Sequence, residues 1–201
     1  MKTAEVHQVY YYDDYGFRNL SGFASSEFNY AMPPELADTR YGEDADPVGH
    51  TGLLTGISNR VLETNDFLQQ VFYYDGKGRN IQTVSENYIG GIDRESVEYN
   101  FTGQPVKKIC LRNGSSDTPI TEYYTFTYDH AGRLTQVRHR LNDLPVRLLL
   151  TQTYDELGRV DRKHPGNLSY TAYSYNIRGW MTKIDNPSYY TQTNYYHTVP
   201  Q

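Results

Sequence analysis

Three aspartates, Asp75, Asp129 and Asp155, recur in the same short phrase. Paired carboxylates are the chemistry of glycoside hydrolysis, where one acts as acid and the other as base or nucleophile. Each of these carboxylates, however, directly follows a tyrosine and precedes a glycine by three residues, and an arginine closes the phrase. The three copies run from Tyr74 through Gly78 to Arg79, from Tyr128 through Gly132 to Arg133, and from Tyr154 through Gly158 to Arg159. Asp favours the first position of a tight turn because its carboxylate accepts backbone N–H bonds two residues on. A glycine three residues later supplies the positive φ that closes a hairpin. The carboxylates therefore read as turn formers, and each Asp–Arg pair as a surface ion pair, generally worth ~0–1 kcal/mol. No catalytic residue is assigned.

Other chemistries find less support. His7, His50, His130, His139, His164 and His197 are scattered, with no pair at metal-ligand spacing. Glu43, Asp44 and Asp46 crowd together but lack the EF-hand pattern and read as a solvated loop. The nearest approach to a nucleophile elbow, Asn113-Gly114-Ser115-Ser116-Asp117, lacks the second glycine and reads as a turn. No loop has the glycine pattern that cradles phosphate. No cofactor and no metal are expected. Cys110 is the single cysteine, which excludes an internal disulfide, and its apolar strand context predicts a packed, inert thiol.

The elements that position these residues follow from the repetition. Looser copies are Tyr99-Asn100-Phe101-Thr102-Gly103-Gln104 and Tyr175-Asn176-Ile177-Arg178-Gly179-Trp180, and a sixth candidate is Tyr12-Asp13-Asp14-Tyr15-Gly16-Phe17. Each phrase reads as a hairpin tip: the tyrosine ends one strand and the closing residue begins the next. The stretch Tyr124 to Tyr128 alternates aromatic and polar residues at the strand period. Between the phrases lie other turn signals, among them Gly90-Gly91, Asn142-Asp143 and Pro165-Gly166. The chain is thus predicted to be all-β, an antiparallel meander of repeated hairpins with one uniform rim and one irregular rim. About ten strands are expected after Leu68, making an open or partial β-shell. The uneven spacing of the tip tyrosines, at 74, 99, 128, 154 and 175, does not suit a strict solenoid. Three regions are expected: 1–50, an N-terminal strand pair and irregular connection; 51–185, the meander; and 186–201, a Tyr-rich tail. Leu20 to Arg60 reads as irregular, with a short helix near Glu35 to Asp38.

Composition narrows the function classes. Among 201 residues there are 21 Tyr, one Trp and seven Phe, and the mean hydropathy is −0.74. Tyr combines an apolar ring with a wet tip, which suits a sheet with half-wet faces better than a thick sandwich core. The formal net charge of −5, without a Lys/Arg stripe, argues against nucleic acid. The longest apolar run, Leu148-Leu149-Leu150, is far too short to span a membrane. No signal peptide precedes the first strand. The Tyr doublets admit a glycan platform as an alternative, although adjacent residues on a strand face opposite ways.

The Tyr-Asp-x-x-Gly-Arg phrases resemble the defining motif of the RHS/YD-repeat family of bacterial polymorphic-toxin-type shell proteins. Asn176 to Trp180 is similar to a variant of longer-spaced members, and Thr51 to Gln82 also looks like that subgroup. The resemblance covers about 51–185. It implies a β-ribbon wound into a hollow shell that encloses or displays a C-terminal toxin or effector, secreted or at the cell surface and not itself catalytic. The implied partner is the remainder of a longer polypeptide or its effector cargo. Family shells are several times longer, and the C-terminal core with its self-cleaving aspartates has no counterpart here. A strip cut from such a ribbon leaves strand edges, expected around Val6 to Tyr12 and Trp180 to Ile184, through which copies could self-associate.

Overall fold

The computed structural model of the protein describes residues 6–36, 50–114 and 118–196. The chain is all-β. Among the described residues thirteen antiparallel strands lie in one open sheet in strict chain order, so every strand pairs with its sequence neighbours. They are β1 (Gln8–Asp13), β2 (His50–Arg60), β3 (Phe67–Tyr74), β4 (Asn80–Glu86), β5 (Ile92–Tyr99), β6 (Pro105–Arg112), β7 (Ile120–Tyr128), β8 (Leu134–Leu141), β9 (Arg147–Tyr154), β10 (Val160–Pro165), β11 (Thr171–Tyr175), β12 (Met181–Asn186) and β13 (Tyr190–Thr193). No helix among the described residues is long and apolar enough to cross a membrane. Two compact units divide at Tyr123/Tyr124, inside β7.

The first unit holds the buried core. Between β1 and β2 the described residues make three short 3-10 turns, Gly16–Asn19, Ser26–Phe28 and Pro34–Leu36. The first two turns and the link between them carry Phe17, Phe28 and Phe23 onto Val71, Tyr73 and Val84 of β3 and β4. The rings interlock: Phe17 meets Phe23 edge-on at 4.8 Å, and Tyr15 stacks on Tyr73 at 5.0 Å. Polar bonds pin the same segment. The Tyr73 hydroxyl donates to the Phe28 carbonyl at 2.5 Å, and the Gln82 amide both donates to Ala31 O and accepts from Ala31 N. Arg94 donates to the carbonyls of Asn29 and Glu27. Burial of apolar rings drives the contact, and these bonds satisfy backbone groups that the covering segment would otherwise leave unpaired.

This arrangement corrects two expectations. Leu20 to Arg60 is not wholly irregular, because its last part is strand β2, and the short helix appears as the 3-10 turn Pro34–Leu36. Asp38 and the acidic residues Glu43, Asp44 and Asp46 lie outside the described residues. The Tyr12 phrase is a tip, but Gly16 does not close it. Gly16 opens a 3-10 turn, whereas Gly52 has φ 83° and donates its N–H to Asp13 Oδ1 at 2.5 Å. Tyr12 pairs with Leu54, as Tyr74 pairs with Asn80 and Tyr175 with Met181. The first tip is therefore split by an insertion, residues 14–51, part of which folds back over the sheet.

The second unit is a single layer. Of its described residues only Asn186 is buried. β13 pairs with β12 over Lys183 to Asn186, so part of the region expected as a tail is strand, and the strand around Trp180 to Ile184 is not an edge.

Candidate functional site

The repeated tips are where the phrase residues act together. In each, the first backbone N–H donates to the carbonyl of the closing residue: Asp75 to Arg79 at 3.0 Å, Asn100 to Gln104 at 2.9 Å, Asp129 to Arg133 at 2.9 Å, Asp155 to Arg159 at 2.8 Å and Asn176 to Trp180 at 2.9 Å. The glycine N–H returns to the carbonyl three residues earlier, and Gly78, Gly103, Gly132, Gly158 and Gly179 have φ between 73° and 86°. The side-chain oxygen then binds the turn's inner N–H groups. Asp129 Oδ1 accepts from Ala131 and Arg133, both at 2.9 Å, and Asp75, Asp155 and Asn176 repeat the pattern. Either Asp or Asn can do this, because only the carbonyl-like oxygen is used.

The arginine completes the unit twice over. Its Nε donates to the other carboxylate oxygen, at 2.6 Å in Arg79–Asp75 and 2.7 Å in Arg133–Asp129 and Arg159–Asp155. Its guanidinium then lies over the next tip's tyrosine: Arg79 over Tyr99, Arg133 over Tyr154 and Arg159 over Tyr175, at 4.6–5.1 Å from the ring centroid. Each of these tyrosines sends its hydroxyl back to the residue two beyond the previous glycine. Tyr99 donates to Asn80 O, Tyr154 to Leu134 O and Tyr175 to Val160 O, at 2.8–3.0 Å. Tyr74 donates to Leu54 O at 2.7 Å, the corresponding residue after Gly52. The tips of Tyr74 and Tyr99, of Tyr128 and Tyr154, and of Tyr154 and Tyr175 are thus each latched by a cation–π contact and a hydrogen bond, and the first tip is joined to Tyr74 by the hydrogen bond.

Two tips substitute the latch chemistry. Gln104 replaces arginine and accepts from Asn100 Nδ2 at 2.9 Å, an amide pair in place of an ion pair. Trp180 replaces arginine in the last phrase and meets Tyr196 at 5.1 Å, while Tyr196 donates to Met181 O at 2.9 Å. Tyr196 therefore occupies the place of a tip tyrosine. Sequence reading missed it because no Asp-x-x-Gly follows it; its spacing from Tyr175 was the available signal.

Backbone N–H donation from Arg133, then its guanidinium and Ala131 N–H, holds Asp129 below the usual carboxylate range. At Asp155 partial desolvation pushes upward but is outweighed by the Arg159 backbone and side-chain bonds. Because their folded-state values are depressed, both contribute stability above the unfolded value of about 3.9, lost as pH falls through the folded value. Thermal melts are expected to show a loss of stability below about pH 4 that is smaller in Asp129→Asn, since Asn176 shows that an amide supports the same turn.

Gly158→Val is expected to cost about 1–3 kcal/mol, because a β-branched residue is strained at φ 81° and its Cβ would lie 3.1 Å from Arg133 Nη1. Equilibrium unfolding in urea measures it. A double-mutant cycle of Arg133→Ala with Tyr154→Leu should give a coupling of about 0.5–1 kcal/mol, the range of an exposed cation–π contact.

The three aspartates are each engaged by their own tip's arginine. Elsewhere in the first unit a polar trough of about 320 Å³ is lined by Gln70, Phe72, Thr83, Asp93, Glu95 and Arg112. Its acids are committed to ion pairs, Asp93 with Arg112 at 3.2 Å and Glu95 with Lys108 at 2.6 Å. Among the described residues no group of three His, Cys, Asp or Glu could hold a metal. Burial pushes the Cys110 thiol up to about 11, which keeps it protonated and unreactive at neutral pH.

No family model matches the chain, and no curated protein matches it. Among solved structures it is similar to a chain in the crystal structure of TcdB2-TccC3-Cdc42, at 15% identity and a TM-score of 0.33. The match covers 68% of this chain and 8% of that one, so the present chain spans a small part of the length of the protein it matches.

Proposed function

We propose that this chain is a non-enzymatic wall segment of an RHS/YD-repeat shell, secreted or surface-exposed, of the kind that encloses or displays a toxin or effector. The supporting observation is the tip latch. The phrase residues of these tips are used to fasten one hairpin to the next, which is the task of a wall. The single-layered second unit, with almost nothing fully buried, suits a sheet whose faces border space and not a second layer. The partners on this reading are the remainder of a longer polypeptide and its cargo.

The test is to recover the protein from its native source and treat it with protease before denaturing electrophoresis and peptide mapping. Peptides of this chain should migrate in a polypeptide several times its own mass of 23.3 kDa, and a segment outside this chain should be protected until the particle is unfolded. Peptides confined to a chain of this size, with nothing protected, would overturn the reading. The alternative is a carbohydrate- or cell-surface-binding module using the Tyr-rich faces. A glycan array separates the two: saturable binding lost in Tyr189→Ala or Tyr190→Ala, both exposed, would favour the module.

A further inference from the structure

The second unit carries a feature that the tip latch does not use. Residues 142 to 149, at the turn from β8 into β9, form an unbroken run of exposed positions. The run contains Leu144, Val146, Leu148 and Leu149, exposed by 56%, 59%, 38% and 41%. A soluble surface tolerates single exposed aliphatics, but four within six residues form a patch that calls for an occupant. Cations flank it, with one acid, Asp143, inside the run. Arg147 lies inside the run, Arg138 pairs with Leu148, and Lys163 and His164 follow on β10, whose last residue Pro165 pairs with Leu150. Between residues 124 and 201 the chain has nine Lys and Arg against six Asp and Glu, in a protein that is acidic as a whole.

We propose that this turn docks peripherally on an anionic phospholipid surface, inserting its aliphatic side chains at the headgroup boundary while Arg138, Arg147 and Lys163 meet lipid phosphate and carboxylate groups. Apolar residues flanked by Lys and Arg are the composition of an interfacial anchor, and the two contributions act together. The patch sits on a hairpin turn. A bilayer accepts such a knob without shape complementarity, whereas a protein partner would need a matching pocket. The overall net charge of −5 does not forbid the contact, because charges more than about 8–10 Å apart are screened at physiological salt. The proposal is independent of the shell reading, since it uses no tip residue.

The test is co-sedimentation with vesicles of phosphatidylcholine alone and of phosphatidylcholine mixed with phosphatidylserine. Binding is expected only to the mixed vesicles, reversed by high salt. Arg147→Glu with Lys163→Glu should weaken it at least tenfold, given about fivefold per cation near the surface. Leu144→Asp with Val146→Asp should abolish it, and Lys77→Glu, in a tip of the first unit, should leave it unchanged. Because a charged substitution could disturb the turn, Leu144→Trp supplies a readout that removes nothing: its fluorescence should shift to the blue on adding the mixed vesicles. Equal binding to both vesicle types, no binding to either, or no spectral shift would overturn the proposal. So would a dimer in lipid-free solution that Val146→Asp dissociates, which would make the patch an interface between copies.

Discussion

Phe28→Ala is expected to lower the stability of the protein by about 3–5 kcal/mol, the range for deleting a fully buried aromatic side chain. Phe28 is 0% exposed and packs on Phe23 at 5.8 Å between ring centroids. The loss has two parts: the transfer of the ring out of water, and the cavity left in a cluster whose other members are fixed by sheet pairing. Repacking is limited, because Val71, Tyr73 and Val84 belong to strands hydrogen-bonded on both sides. A domain's whole stability is about 5–15 kcal/mol, so the change consumes a large share of it. Urea unfolding followed by Tyr fluorescence and by far-UV dichroism measures the effect. A loss under about 1 kcal/mol would mean that the inserted segment does not hold the first hairpins. Phe101→Ala, at a tip and 87% exposed, is the control and should change little.

Gly91→Ala is the second large effect. A Cβ on Gly91 would lie 1.8 Å from the carbonyl oxygen of Asn113 and 2.6 Å from its carbonyl carbon. The obstacle is backbone, so no rotamer change relieves it. Asn87 shows why the approach is so close. Its Oδ1 accepts from Gly91 N at 2.8 Å, while its Nδ2 donates to Asn113 O at 2.7 Å and to Asp93 Oδ1 at 3.1 Å. One amide thus ties the β4–β5 turn to the end of β6. Separating the two backbones would break the bonds that reach Asn113, the Asn87 Nδ2 donation to its carbonyl and its own N–H donation to Asp93 Oδ1 at 3.2 Å, each worth about 1 kcal/mol, so a cost of about 2 kcal/mol is expected. Asn87→Ala should lose a similar amount without the clash. If Gly91→Ala were as stable as the parent, the close approach would be absent in solution.

The tips were legible because everything that makes them is local. Asp75, Gly78 and Arg79 interact within one turn, so residue type and offset carry the whole signal. The latch was less legible, since Arg133 meets Tyr154 across a hairpin, and no offset within a phrase encodes that contact. The first tip misled for the same reason. Gly16 stands at the local offset of a closing glycine, but the residue that meets Asp13 is Gly52, and only strand pairing reveals it. The pairing of β12 with β13 was hidden because Tyr190 to Thr193 is short and its phrase lacks the Asp-x-x-Gly.

The split first tip bears on how such a chain can change over time. Lengthening a closed loop costs only a few kcal/mol, since the entropy rises with the logarithm of its length. Here the burial of Phe17, Phe23 and Phe28 works against that cost. The insertion leaves the register of Tyr12 opposite Leu54 the same as at an unbroken tip, so the ladder is indifferent to what is spliced between its Asp and its Gly. Each remaining tip is in that sense a docking port for new sequence. A foreign segment placed between Asp155 and Gly158 should be carried without disturbing the strands on either side, which makes the repeat a framework for acquiring new surfaces one tip at a time.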